Sequence, residues 1–316
     1  MDREYRIIEY ISDFLKNRKQ NLIIGPGDDC AVLKINENLL LFTVDEIMEG
    51  THFMMKFSSP SLLASKITRA SVSDIYAMGN AMPEICLVSA GIPAELSDRW
   101  FKKFIKALKK ECSYFNMDIA GGNMVKADKL HISMTVMGIL KGNKIIARSG
   151  AKPGDLVYTI GAMGNAKAGL EILMNGKKKL EPYEKALIDS FWKPIIFKKE
   201  SGIISKYATS MLDNSDGLYK SLEIIARTNK VKIGVELDEK MAGRHLLKWS
   251  EVCGRDWKEY LLSGGEDYNL IFTINPEYRY YLEKKLPYAC RIGKIEKGNG
   301  IIIRNWNGKI KDFKHF

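Results

Sequence analysis

Short apolar runs alternate with longer amphipathic stretches from end to end of the chain. That alternation is the pattern of an α/β or α+β architecture. Leu39-Leu-Leu-Phe-Thr-Val44 is a compact apolar run. In His131-Ile-Ser-Met-Thr-Val-Met137, Ile132, Met134 and Val136 fall on one face and Ser133 and Thr135 on the other, as in a half-buried strand. Leu156–Ile160, Leu270–Ile274 and Ile301–Ile303 read as further strands. Helices are predicted over Leu62–Met78, from an N-cap at Ser97 to Lys110, over Ala166–Leu173 and over Leu218–Thr228. Arg148-Ser-Gly-Ala-Lys-Pro-Gly-Asp155 concentrates turn formers and is the best hinge. Residues 1–147 are therefore expected to form one domain and 148–316 a second.

Composition agrees with two ordinary cores: 316 residues, 46% apolar and 28% charged. No run approaches the roughly 18 consecutive apolar residues of a membrane span. The N-terminus runs straight into an amphipathic pattern without a signal-peptide core. The five cysteines are scattered and never spaced as CxxC, so neither a disulfide framework nor a zinc site is expected. A reducing cytoplasm is the expected location. The net charge of +11 resides in lysine clusters, chiefly Lys102, Lys103, Lys106, Lys109 and Lys110. Trp100, Phe101, Phe104, Ile105 and Leu108 recur at helical spacing in the same stretch, which puts those lysines on a solvated face. No base-reading motif accompanies them, so neither nucleic acid nor a membrane is expected as a partner.

The chemistry lies in acidic turns. Gly25-Pro-Gly-Asp-Asp29 and Ser263-Gly-Gly-Glu-Asp267 each place two carboxylates among glycines. Asp45 ends an apolar strand, Asp74 precedes Met78-Gly79 by one helical turn, and Asp213-Asn-Ser-Asp-Gly217 stands at the expected start of a helix. Each fits a plain turn or N-cap when taken alone. Together they fit hard Mg²⁺ ions holding a polyphosphate, because each such ion takes only one or two carboxylates and keeps its waters. No G-x-x-x-x-G-K-[ST] loop and no protein-kinase motif set is present. Nor is there a Ser-His-Asp or Cys-His arrangement, so no protein nucleophile or catalytic base is expected.

In collinear order, Gly25–Leu33, Thr43–Phe53, Ser71–Gly79, Gly121–Asn123, Arg148–Asp155, Asp213–Leu218, Leu262–Tyr268 and the ending Asp312-Phe-Lys-His-Phe316 resemble the blocks of thiamine-monophosphate kinases. That family belongs to a superfamily with aminoimidazole ribonucleotide synthase and selenophosphate synthase. The resemblance implies two α/β domains, the first binding ATP and metal and the second completing the ATP and substrate site. It also implies a homodimer whose N-terminal sheets pair. The reaction implied is direct in-line phosphoryl transfer from ATP, with Mg²⁺, to thiamine monophosphate, giving thiamine diphosphate.

By the same resemblance Asp29, Thr43, Asp45, Asp74, Asp213 and Asp216 are magnesium ligands, with Asn123 where the family usually has aspartate. Gly122, Arg148 and Ser215 are ATP contacts; His52, Glu266 and Phe313 hold thiamine monophosphate. The residue types suit those roles. Arg148 can fork onto phosphate oxygens, and Phe313 can stack on a heteroaromatic ring. The chain departs from the family at Asn123 and at Val44, where a hydroxyl residue is usual. Both departures are expected at one magnesium site, together with Asp45.

Overall fold

The computed structural model describes residues 6, 7, 10, 11, 14, 15 and 19–308. Phe313 and the rest of the aromatic ending lie outside the described residues, as does most of the opening amphipathic run. The fold is mixed α/β, and the chain divides after Asn143 into two compact units.

The first unit holds a six-stranded sheet in the order β1-β2-β3-β6-β4-β5. Its strands are β1 (Leu22–Ile24), β2 (Ala31–Ile35), β3 (Asn38–Met48), β4 (Ala81–Ile92), β5 (Asp118–Lys126) and β6 (His131–Leu140). The alternation expected in β6 is present: Ile132, Met134 and Val136 are buried, and Ser133 and Thr135 are not. The buried face carries helix α1 (Pro60–Ala77). This helix starts two residues before the predicted Leu62 because the Ser59 hydroxyl caps the Leu62 amide and Pro60 presets the first turn. Leu41, Ile47, Leu63, Ile67, Ile75 and Met134 form the core beneath it.

Helix α2 (Asp98–Tyr114) packs on α1 and is capped by Ser97 as predicted. Ser65 and Arg69 of α1 bind the two carboxylate oxygens of Glu111 at 2.8 and 3.2 Å, which fixes the helix pair. The five lysines of α2 are exposed and Phe104 and Leu108 are buried, but Ile105 turns outward with the lysines.

The sheet's other face is apolar and open. Phe42, Val44, Ile85 and Leu87 are exposed on it, and all nine residues of β5 are exposed.

The second unit, from Lys144, holds another six-stranded sheet, ordered β12-β9-β11-β7-β10-β8. Here β7 (Leu156–Ile160) and β10 (Leu270–Ile274) match their predicted bounds and are buried at every residue. Tyr158 of β7 stacks on Phe272 of β10 at 5.7 Å, and its hydroxyl donates a hydrogen bond to Glu283 at 2.8 Å. The remaining strands are β8 (Ala208–Asp213), β9 (Lys232–Val235), β11 (Ala289–Glu296) and β12 (Gly300–Ile303). Helices that bear on the site are α3 (Asn165–Met174), α4 (Pro182–Trp192) and α6 (Leu218–Asn229), with α5 (Lys198–Ile204) between the last two. No helix among the described residues is long and apolar enough to cross a membrane.

Candidate active site

In the first unit β3 and α1 set the carboxylates. Asp45 lies inside β3, not at its end as the apolar run suggested, because pairing with β6 continues as far as Met48 with His131. Strand alternation gives Thr43 and Asp45 the α1 face. There the Thr43 hydroxyl donates to Asp74 at 2.5 Å. Asp29 follows the Gly25–Asp28 turn and is buried, and its carboxylate approaches that of Asp74 within 4.8 Å. Two like charges that close, one buried and the other half-buried, repel unless a cation lies with them, so this pair fits a hard metal ion. Lys66, passed over in the sequence, is fully buried two turns before Asp74 in the same helix.

His52 sits in the turn after β3, and its Nδ1 accepts the Met48 amide at 3.1 Å. That bond puts the proton of the neutral ring on Nε2.

Val44 and Asn123 do not join Asp45. The register aligns Asn123 with Ser89, Ser89 with Ser133, and Ser133 with Glu46, while Val44 pairs with Thr135 on that same open face. Val44 is 63% exposed there, and Asp45 points the other way. Side chains one residue apart on a strand face opposite ways, so within one chain the three do not meet around one ion. Gly122 has a packing reason beside any ligand role: a Cβ there would lie 1.8 Å from the Val88 carbonyl oxygen of β4.

In the second unit two loops are laced together. Asp213 closes β8, paired with Leu270, and the turn from Asp213 to Gly217 leads into α6 at Leu218, the residue at which a helix is expected. Beyond that pair the Asn214 amide donates to the Asn269 carbonyl, Tyr268 to Asn214 and Glu266 to Ser215, at 2.8, 3.1 and 2.6 Å. These bonds carry a β-like ladder into the glycine turns, and they fix Ser215, Asp216 and Glu266 relative to Asp213. The approach is too close for side chains, since a Cβ on Gly265 would stand 2.5 Å from the Ser215 carbonyl oxygen. Glu266 and Tyr268 take positive φ, 66° and 54°, on either side of Asp267. Asp267 caps α3, accepting the Gly164 and Ala166 amides at 2.5 and 2.9 Å. Burial pushes its carboxyl up to about 7 against those donors.

Arg148 is placed by a residue that no sequence pattern singles out. Asn229, at the end of α6, donates to the Arg148 carbonyl at 2.9 Å and accepts the amides of Gly150 and Ala151 at 2.7 and 3.0 Å. Sequence proximity could not reveal it, because 81 residues separate the partners.

Residues 27–140 match the family of AIR synthase related protein, N-terminal domain. A thiamine-monophosphate kinase of Aquifex aeolicus is 32% identical over 306 residues, 96% of each chain. The chain belongs to the thiamine-monophosphate kinase family. It is accordingly an enzyme, a phosphotransferase. The family's Haemophilus influenzae member is 33% identical over 279 residues, covering 87% of this chain and 83% of that one. A solved structure of AaThiL complexed with AMPPCP and TMP superposes with a TM-score of 0.88 at 32% identity, over 99% of this chain and 97% of that one. The fold extends to more distant proteins: HypE in a HypE–HypF complex gives 0.69 at 17% identity, over 97% and 98%.

Proposed function

We propose that the enzyme transfers the γ-phosphoryl group of ATP in line to the phosphate of thiamine monophosphate, giving thiamine diphosphate and ADP. The observation that carries this reading is the likeness to AaThiL complexed with AMPPCP and TMP across nearly the whole chain. The site chemistry supports it. The accepting phosphate oxygen is already anionic at neutral pH, so positioning and charge neutralisation suffice and no protein base is required.

In the first unit Asp29, Asp74, Asp45 and Thr43 are the residues to hold Mg²⁺, which when bound neutralises charge on the polyphosphate. His52 offers its Nε2 proton to a substrate oxygen. Gly122 and Asn123 lie on β5, Gly122 as an ATP contact and Asn123, facing the other way, as a metal ligand with a neutral oxygen. In the second unit Asp213 and Asp216 are metal ligands, while Ser215 and Arg148 bind ATP phosphates through a hydroxyl and a forked guanidinium. Glu266 meets the cationic thiazolium or the aminopyrimidine of thiamine monophosphate, and Phe313 stacks on it.

The working form is a homodimer joined through the open face of the first unit. Its support is the apolar set Phe42, Val44, Ile85 and Leu87, together with β5, an exposed strand carrying Ile119, Met124 and Val125. Soluble proteins seldom leave such a face and edge uncovered. All five cysteines are free thiols, which suits a cytoplasmic enzyme.

The test is to incubate purified protein with ATP, Mg²⁺ and thiamine monophosphate and separate the products. One thiamine diphosphate should appear per ADP. ADP without thiamine diphosphate, or with a different phosphorylated acceptor only, would overturn the assignment.

A further inference from the structure

The second sheet carries a groove on the half away from Asp213. Asp213 ends β8, one edge of that sheet, whereas the groove lies over β9 and β11, with the segment after β12 at its rim. Its volume is about 610 Å³, the size of a small-molecule site. None of the residues assigned to the reaction lines it.

A bulge in β11 builds the charge of this groove. Residues three apart on a regular strand face opposite ways. Yet Arg291 pairs with Tyr158 and Lys294 with Leu156, and those two residues of β7 share a face. The register slips between Arg291 and Gly293, and the extra residue brings both cations to one side. Gly293 suits that slip, because a Cβ on it would stand 2.2 Å from the Gly234 carbonyl oxygen. Gly234 pairs with Lys294 and leaves the floor bare. Arg304 lies over that floor, since a Cβ on Gly234 would meet its guanidinium at 2.7 Å.

Most of the other polar groups at the groove are already engaged. Glu296 pairs with Lys232 at 3.1 Å and with Arg304. Asp238 accepts the Lys240 amide at 2.8 Å, at the start of the helix Glu239–Cys253. Asn305 commits both ends of its side-chain amide to the Leu237 main chain, at 2.9 and 2.8 Å. Arg291, Lys294 and Glu236 are left. All three are exposed, and none has an ion-pair partner among the described residues.

We propose that the groove binds a phosphate monoester that also carries an amine, its phosphate held by Arg291 and Lys294 and its ammonium by Glu236. A phosphate monoester is close to a dianion at neutral pH, with a second pKa of about 6, so it balances two cations where a carboxylate balances one. Arg291 presents a fork of N–H donors to the phosphate oxygens, and Lys294 a compact point charge. Glu236 stands two residues beyond Gly234, and its amide donates to the Ile292 carbonyl at 2.9 Å, which sets it beside the Arg291 end of the groove. A plain phosphate there would feel that carboxylate as a repulsion, and an amine on the ligand turns the repulsion into attraction. The bare main chain at Gly234 lets the body of the ligand approach the sheet closely. The site stands whatever molecule accepts the phosphoryl group.

The test uses phosphoethanolamine and ethyl phosphate, which differ only in the amine. Each is titrated into the intact enzyme in EDTA, without nucleotide, while the amide resonances of Gly234 and Gly293 are followed. Both glycines should shift saturably, and phosphoethanolamine should bind about tenfold more tightly than ethyl phosphate. Arg291→Ser and Lys294→Ser should each weaken both probes about tenfold. Glu236→Gln should bring the two probes to equal affinity. The absence of a saturable shift at these glycines, equal affinity of the two probes for the unmodified enzyme, or binding that survives both Arg291→Ser and Lys294→Ser would each overturn the proposal.

Discussion

The two units present their chemistry in opposite ways. The first sets its carboxylates on regular elements, a strand and a helix, and leaves the other face of its sheet apolar and open. The second buries two inner strands, β7 and β10, at every residue and sets its candidate ligands in glycine loops held by main-chain bonds. A sheet with one covered face can position a side chain rigidly but is incomplete as a surface. A sheet buried through its centre is complete, and precision passes to the loops at its ends. With the proposed dimer, the first unit depends on a partner and the second on its glycines.

The largest effect should come from the rigid half. Asp74→Ala should lower kcat by about 10³-fold or more, on the scale of losing a preorganised electrostatic group. The Thr43 hydroxyl loses its acceptor, so stability should fall by only about 1–2 kcal/mol. Steady-state kinetics beside chemical denaturation reads both, and an active Asp74→Ala enzyme breaks the assignment of this half.

Next is the open face. Leu87→Lys puts an unpaired charge into the proposed dimer contact, which should raise the dimer dissociation constant about 100-fold, equivalent to about 2.7 kcal/mol. Light scattering across a dilution series checks this. A wild-type protein that is monomeric at micromolar concentration removes the contrast between the two units.

The loop half answers to a methyl group. Gly265→Ala brings a Cβ against the Ser215 carbonyl oxygen, so one loop must give way. We expect kcat/KM to drop about 10- to 100-fold through displacement of Glu266 and Ser215, with a stability loss of about 1–3 kcal/mol. An unchanged kcat/KM would show that the lacing does not set those groups.

The smallest effect concerns Asn123, which lies on the open face. At about 4 Å and an effective dielectric near 20, a charge pair is on the order of 4 kcal/mol before desolvation, and solvent there reduces it greatly. Asn123→Asp should accordingly lower the Mg²⁺ concentration for half-maximal activity about threefold to tenfold. A magnesium titration that does not move would take Asn123 out of any metal site.

Much of this contrast is legible in the sequence, where the period is clean. The alternation of His131–Met137 and the continuous apolar runs Leu156–Ile160 and Leu270–Ile274 name their strands because each has one burial rule along its length. β4 and β5 escape notice for physical reasons. Pro83 and Gly91 interrupt the first, and the second, exposed throughout, has no apolar face to reveal a period. The acidic turns point to metal chemistry by residue type alone. What they hide is partnership across distance: Asn229 holding the Arg148 turn, Asp267 capping α3, and Val44 facing away from Asp45. Those relations are properties of register and loop closure, which the local pattern does not encode.

The central claim is that positioned charge alone carries the phosphoryl group, with no enzyme group as an intermediate acceptor. The direct measurement is stereochemical: thiamine monophosphate is phosphorylated with ATP made chiral at the γ-phosphorus, and the configuration at the transferred phosphorus of thiamine diphosphate is determined. A single in-line transfer predicts inversion. Retention would mean two displacements through a phosphorylated side chain, and would contradict the account.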